Sequence, residues 1–486
     1  MRIPSLVLPS GFAFVALAAV LWITRPPGPG LDPDAMPYLG AAESFVSHGT
    51  LRIPSADWDH PGGTTALGHF PPGFPLAIAA PAALGVSPVQ AARVVEAVAA
   101  ALTVGLAVWL VAFVAGPIAG ALAGTSLLVT PALALDHLRV LSEPLFLFLL
   151  VASLALMLRR PDRPLVYGIV AALAGLVRYA GAAVGGAAAL WAVSPPGTPR
   201  QRLGRAALAV APTLLVQAAW TLRTRAESGS LRELGIRGHV GATLREGLET
   251  LEGWLAPSVA HAGFRILLAP LVAVLAAVAL WLGTRRDRPL FTLLGIVALC
   301  YGGLVLASRL FADRGIPLDE RLLSPLFVLA SLGVSAAVGL VWREARPALW
   351  SAGALVFVVW LGASAWRTAE MVRDARDGGW GYAGEEWQAS ALVQWLRTDG
   401  ARRPVFSNSP PDVWFANGRN SWKLPQTLEA AEVTAFGKVL GERGGVLVGF
   451  ARENEPLANP AEVARVLGLV VLARFDDATV WGPPPR

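Results

Sequence analysis

The sequence predicts an α-helical polytopic membrane protein of about eleven transmembrane helices plus juxtamembrane helices, with a small C-terminal extracytoplasmic α/β domain. Three observations predict it. Of 486 residues, 54% are hydrophobic and 15% charged, and the mean hydropathy of +0.54 exceeds what a water-soluble chain normally tolerates. Apolar stretches long enough to cross about 30 Å of hydrocarbon recur from Phe12 to Trp366, and there the pattern stops. Arginine is concentrated in the short connections between those stretches.

The first apolar run, Phe12 to Ile23, is followed by Thr24-Arg25-Pro26-Pro27 and not by a small-x-small cleavage site, so it reads as a retained span. Four later connections are strongly basic: Arg159 to Arg163, Arg200 to Arg205, Arg285 to Arg288, and Arg343 with Arg346. The positive-inside rule makes all four cytoplasmic, so an even number of crossings separates each consecutive pair. Between Arg163 and Arg200 this requires two short helices meeting at Arg178-Tyr179, each reaching only about 20 Å. Arg178 then sits below the outer surface, facing protein or a wet cavity.

The same parity gives spans at 11–24, 91–115, 118–135, 144–158, 165–177, 180–193, 206–222, 264–283, 289–308, 322–342 and 347–366. The N-terminus is cytoplasmic, and the outer side receives the loop 25–90, the turn 136–143, the loop 223–262, the turn 309–321 and the tail 367–486. Within the first outer loop, Tyr38 to Val46 is amphipathic, and Phe74 to Leu84 is apolar but too short to span, as suits an interfacial helix. The tail is polar. It carries a helical stretch, Glu385 to Leu396, and three short apolar strands at Pro404-Val405-Phe406, Val446-Leu447-Val448 and Leu469 to Leu472.

Composition also excludes some classes. The formal net charge of +6 reports loop topology, and no basic, aromatic-interleaved patch argues for nucleic acid. The one cysteine, Cys300, allows neither an intrachain disulfide nor a cysteine-based zinc site.

Three sets of residues carry possible chemistry, all at the outer surface. The first holds Asp32, Asp34, Tyr38, Asp57, Asp59, His60 and His69. Carboxylates beside the membrane act as a general base on a hydroxyl or hold a divalent metal, whereas the structural alternative makes Asp34 the cap of the following helix. The second is Asp136-His137-Leu138-Arg139 with Glu143, where the acid equally favours the start of a helix at Leu145. The third is arginine against the positive-inside trend: Arg178, Arg223, Arg309, Arg314 and Arg321. A guanidinium fork suits a phosphate, while Arg223 also fits a residue snorkelling at a helix end. Together these sets suit a reaction on a lipid phosphate with a hydroxyl acceptor.

In order along the chain, these segments resemble the GT-C glycosyltransferases that use polyprenyl-phosphate-linked sugars, such as protein O-mannosyltransferases and aminoarabinose transferases (glycosyltransferase families 39 and 83). Asp34, Tyr38 and the small-residue stretch to Gly49 resemble the family's first outer loop. Phe70-Pro71-Pro72-Gly73-Phe74-Pro75 is similar to its PPG-aromatic-P segment, and Ser142-Glu143-Pro144 to the acid opening its fourth span. Gly175-Leu176-Val177-Arg178-Tyr179-Ala180-Gly181 resembles its Gly-Leu-x-Arg/Lys-x-x-Gly segment, and Arg321 to Pro325 its late Arg-x-x-x-Pro. The family's Asp is usually followed by Glu, and this chain has Ala35.

The resemblance implies a transmembrane catalytic domain over 1–366, including the loop 25–90, and an extracytoplasmic α/β domain over 367–486. It implies a multi-pass protein of the cell membrane that moves a sugar from a polyprenyl-phosphate donor to a hydroxyl acceptor on protein, lipid or glycan. Asp34 is then the general base, with Glu143 beside it in the catalytic set. Arg178 and Arg321 hold the phosphate, and Tyr38, Asp32, His69, Asp136, His137, Arg139 and Arg223 are further substrate-binding candidates. No cofactor is required, and a divalent metal is compatible with the acids. The competing class is a polyprenyl-lipid transporter or flippase, or a non-catalytic binding protein, and the chain has no repeat-related halves of the kind transporters show.

Overall fold

The computed structural model describes residues 5–228, 240–257, 262–312, 316–341, 347–451 and 457–484. Arg314 and the basic pair Arg343 and Arg346 lie outside the described residues. By contacts the chain forms two compact units, one of residues 1–25 and 93–375, the other of 26–92 and 376–486.

In the helical unit, a helix occupies every predicted span position. Among the described residues, six helices are long and apolar enough to cross a membrane alone, and a seventh span arises if the bent pair Pro117–Val129 and Pro131–Leu138 is counted as one. The remainder are shorter, down to the eleven residues of Ala182–Ala192. The predicted continuous span over 118–135 is broken: the axis turns by 56° at Thr130, because Pro131 has no N–H for the ladder and its ring crowds the preceding turn. The break delivers Asp136 and His137 on a short segment of their own.

The two short helices required around Arg178 are present. Pro164–Val177 ends at Arg178, whose backbone is extended, and a single turn of 3-10 helix at Tyr179–Gly181 leads into Ala182–Ala192. The hairpin closes on glycine, since a Cβ at Gly181 would strike the backbone of Ala174 and Gly175. The long helix Pro199–Ser228 lies against both arms through small-residue contacts, Gly168 on Ala209 and Gly185 on Thr213. Its Gln217 donates to Gly175 O at 3.0 Å, and its Trp220 donates to Tyr179 Oη at 3.1 Å. Among the described residues of this unit one helix was not predicted, Val240–Leu255, although Val240, Leu244, Leu248 and Leu251 repeat at helical spacing.

The second unit is α/β. A small antiparallel ribbon pairs β1 (Arg52–Ile53) with β3 (Thr65–Ala66). The main sheet comprises β2 (Ser55–Ala56), β4 (Val405–Ser407), β5 (Ser421–Lys423), β6 (Val446–Phe450), β7 (Val470–Arg474) and β8 (Ala478–Gly482), in the order β2-β5-β4-β6-β8-β7. The first four in that order run parallel, and the β6-β8 and β8-β7 pairs are antiparallel. Alternation along the strands builds both faces: Val405, Val446 and Val448 join the core over Ala391–Arg397 and Pro410–Asn417, while Phe406 and Leu447 join the core over Ala430–Glu442 and Pro460–Val466. The three strands predicted in the tail are present.

Grouping differs from the expectation that 25–90 is a loop of the helical domain. β2 adds a strand to the tail's sheet, Leu31 bridges to Gly381, and the indole N–H of Trp422 donates to His60 O at 2.8 Å. Main-chain pairing ties this segment to the tail, and nothing in hydropathy encodes such a pairing. The expected interfacial helix is Gly73–Ala82, ten residues long, about 15 Å and short of a span.

Candidate active site

Within the helical unit the polar residues converge on Glu143. This residue opens the helix Glu143–Arg159 and is only 2% exposed. Its Oε1 lies 2.5 Å from Arg178 Nη1 and 3.2 Å from Arg321 Nε. The Arg178 guanidinium also donates to the Ser142 hydroxyl at 3.1 Å. Two cations on one carboxylate oxygen are thus fixed in a largely desolvated place, with side chains 17% and 23% exposed.

Each member is positioned by its own local chemistry. Arg178 follows the last residue of a broken helix, where the extended backbone turns its side chain off the helical path. Arg321 sits in the first turn of Glu320–Val341, where Asp319 Oδ1 accepts from Leu322 N at 2.9 Å. Pro325 has no N–H for Arg321 O, four residues back, and the Ser324 hydroxyl takes its place at 2.9 Å. Tyr301, buried against Phe146, donates to Leu322 O at 2.8 Å and so joins the two helices that carry Arg321 and Glu143.

Asp136 is wholly buried, faces the Ser324 hydroxyl and lies within the field of Glu143, Arg178 and Arg139. His137, beside it, donates through Nδ1 to Leu133 O at 2.6 Å, and Arg139 Nε donates to Leu135 O at 3.3 Å. The latter two bonds return to the same short helix. Arg223 stands over the Trp220 ring at 4.5 Å and pairs with Glu227 at 3.1 Å. Arg309 pairs with Glu246 at 2.9 Å.

Glu96 was missed. It is completely buried within the apolar helix Pro88–Ala115, and its Oε1 accepts from Leu141 N at 2.7 Å. That bond holds the turn immediately before Glu143. A carboxylate amid a long apolar run is itself the signal that could have found it.

In the α/β unit, Asp34 stands at the N-cap position of Ala35–His48, with helical backbone angles and no side-chain bond to the first turn. The carboxylate therefore makes no capping hydrogen bond to that helix. Tyr38, 2% exposed, lies between Phe70 at 4.7 Å and Phe74 at 5.1 Å, so the Phe70 to Phe74 segment is what holds it. His69 meets Phe70 edge-on at 4.6 Å. Asp32 precedes Asp34 by two residues and lines a cavity of this unit. Among the described residues, no three His, Cys, Asp or Glu side chains converge as metal ligands do.

These features define a polytopic helical membrane protein with an appended α/β unit. No family model matches the chain, and no curated protein sequence does. Solved structures do. ArnT from Cupriavidus metallidurans in the apo state superposes with a TM-score of 0.61 at 15% identity, covering 98% of this chain and 99% of that one. The same protein bound to undecaprenyl phosphate gives 0.61 and 15%, covering 99% of each. Arabinofuranosyltransferase AftD from Mycobacteria gives 0.61 at 17%, covering 100% of this chain and 40% of that longer one. The chain has the fold of the GT-C glycosyltransferases.

Proposed function

We propose that this protein is an integral membrane glycosyltransferase that moves a sugar from a polyprenyl-phosphate donor to an acceptor hydroxyl on the extracytoplasmic side, with inversion. The observation that carries the reading is the convergence of Arg178 and Arg321 on one oxygen of buried Glu143. Glu143 holds the two guanidinium groups together against their mutual repulsion, which prepares a place for a dianion. Its supporting context is a shared fold with a protein whose structure contains undecaprenyl phosphate.

In this reading the acceptor oxygen attacks the anomeric carbon and its proton passes to the Asp34 carboxylate. The bond from that carbon to the phosphate oxygen breaks, and polyprenyl phosphate leaves with the electron pair. Developing charge on the leaving oxygens falls to Arg178 and Arg321, so the leaving group needs fixed cations more than a general acid. Asp136 stays beside the arginines as a positioning residue.

The test is turnover by the purified full chain in lipid nanodiscs with a polyprenyl-phosphate sugar. Asp34→Asn is expected to lower kcat by about 10²- to 10⁴-fold, the usual contribution of a general base. Near-normal turnover by that variant, folded and with its donor KM intact, removes Asp34 from the base role.

A further inference from the structure

Beside the segment that carries Asp34, the α/β unit contains a cavity of about 770 Å³, within the range of about 300–1,000 Å³ usual for small-molecule sites. Leu31 and Asp32 form one wall. The glycine-rich turn from Gly378 to Gly384, the start of the short helices that follow it, and the turn between β7 and β8 form the others. The first wall is stapled to the second, since Leu31 N donates to Trp380 O at 3.2 Å and Tyr382 N to Leu31 O at 2.8 Å. Gly381 has a positive φ of 59°, and a Cβ there would strike Leu31 O.

The cavity lies on the side of the sheet where the parallel strands end, since its β7–β8 wall leads into Ala478, which pairs with Phe450, the last residue of β6, and open α/β folds put ligands on that side. The helix after β4 packs on one face and the helix after β6 on the other, so β4 and β6 flank a topological switch point. Asn408 ties the carboxyl ends of the two strands through paired bonds with Phe450, 2.8 and 3.0 Å. Tyr382, a cavity wall, donates to Asp412 at 3.0 Å in the helix after β4, and Asp477 O accepts from Ala451 N at the end of β6.

The lining is specific in its chemistry. Asp32, Glu386, Asp476 and Asp477 supply four carboxylates against the single guanidinium of Arg474, and half-buried Trp387 and Phe475 supply ring surface. Ionised carboxylates only accept hydrogen bonds, which suits a ligand rich in hydroxyl donors. The rings suit the apolar C–H faces of a sugar. The acidic excess repels phosphorylated, sulfated or carboxylated molecules. An extended peptide is recognised by main-chain pairing along a strand edge, and this cavity is walled by turns and helix starts instead.

We infer that this cavity binds the acceptor, and that the acceptor is a neutral glycan. The inference rests on the glycosyltransferase reading and narrows its acceptor. Asp32 is then a specificity residue, a wall of the acceptor site two positions before the proposed base.

The test is direct binding to the full chain in nanodiscs, without donor. The probes are neutral glucan, mannan, galactan and arabinan hexasaccharides, polygalacturonate as an anionic control, and a Ser/Thr-rich peptide. At least one neutral hexasaccharide is expected to bind, and polygalacturonate and the peptide are not. Trp387→Ala, and separately the double variant Asp476→Ala/Asp477→Ala on an exposed turn, should each weaken binding about tenfold or more. Absence of neutral-glycan binding, equal binding by both variants, or binding of the peptide or the polyanion overturns the inference. Release of polyprenyl phosphate from the donor is measured alongside. If release persists without glycan binding, only the acceptor assignment falls; if glycan binds and no donor is ever cleaved, the reaction falls and the glycan site stands.

Discussion

Arg178→Ala separates a phosphate-holding arginine from a merely structural one. Charge-assisted hydrogen bonds are worth about 1.5–3 kcal/mol each, so losing one to the leaving phosphate lowers kcat/KM by about 10- to 150-fold. The structural cost is separate. Breaking a buried ion pair typically costs about 3–5 kcal/mol. Here Arg321 remains 3.2 Å from the same Glu143 oxygen, and the Arg178 side chain is 17% exposed. Screening and the surviving partner reduce the loss to about 1–3 kcal/mol. Arg178→Lys keeps the charge without the fork, so it should recover most of the stability and less of the activity. The assay is donor kinetics in nanodiscs together with a thermal melt of the same sample. Arg178→Ala within threefold of wild-type kcat/KM, with the melt lowered, refutes the phosphate role and leaves the arginine a structural partner of Glu143.

Glu96→Ala leaves Leu141 N–H buried without its acceptor, a loss of about 1–3 kcal/mol. It should lower the melting temperature and raise donor KM through the Glu143 turn, and Glu96→Gln, which retains an acceptor oxygen, should restore most of both. Tyr301→Phe removes the bond to Leu322 O and should cost about 0.5–1.5 kcal/mol in the same melt, with acceptor KM unchanged. The Glu432 carboxyl is held below its usual value by the Thr427 hydroxyl, with further bonds from Gln426 N and Thr427 N. A depressed folded-state value means stabilisation that is complete above the unfolded value of about 4.3 and is lost as pH falls through the folded one. Glu432→Gln should therefore lower the melt of the α/β unit at pH 7, and the difference from wild type should shrink between pH 5 and pH 3, read by circular dichroism.

The helical unit was largely legible because bilayer thickness and loop arginines constrain the sequence so strongly. Even the break at Arg178 followed from parity alone. The bend at Thr130 was signalled by Pro131, yet hydropathy averages over it. Pairing between the first loop and the tail was not legible, because β2 is two residues long and its partner lies hundreds of positions away. For the site, residue type marked Glu143, Arg178 and Arg321 as candidates, and the structure brought these three together. Asp34 was ambiguous between cap and base, and only the backbone geometry shows that no capping bond is made. Glu96 went unweighed because the apolar run around it reads as an ordinary span, although a buried acid there needs a partner.

The most direct test of the reaction follows both ends of the donor at once. Full-length protein in proteoliposomes is given a polyprenyl-phosphate sugar labelled at the anomeric carbon, together with a neutral glycan acceptor. Release of polyprenyl phosphate is expected to match labelled product of inverted anomeric configuration, with both lowered about a hundredfold or more in Asp34→Asn. Movement of intact labelled lipid between leaflets with no cleavage of the sugar–phosphate bond contradicts it and makes the protein a lipid transporter.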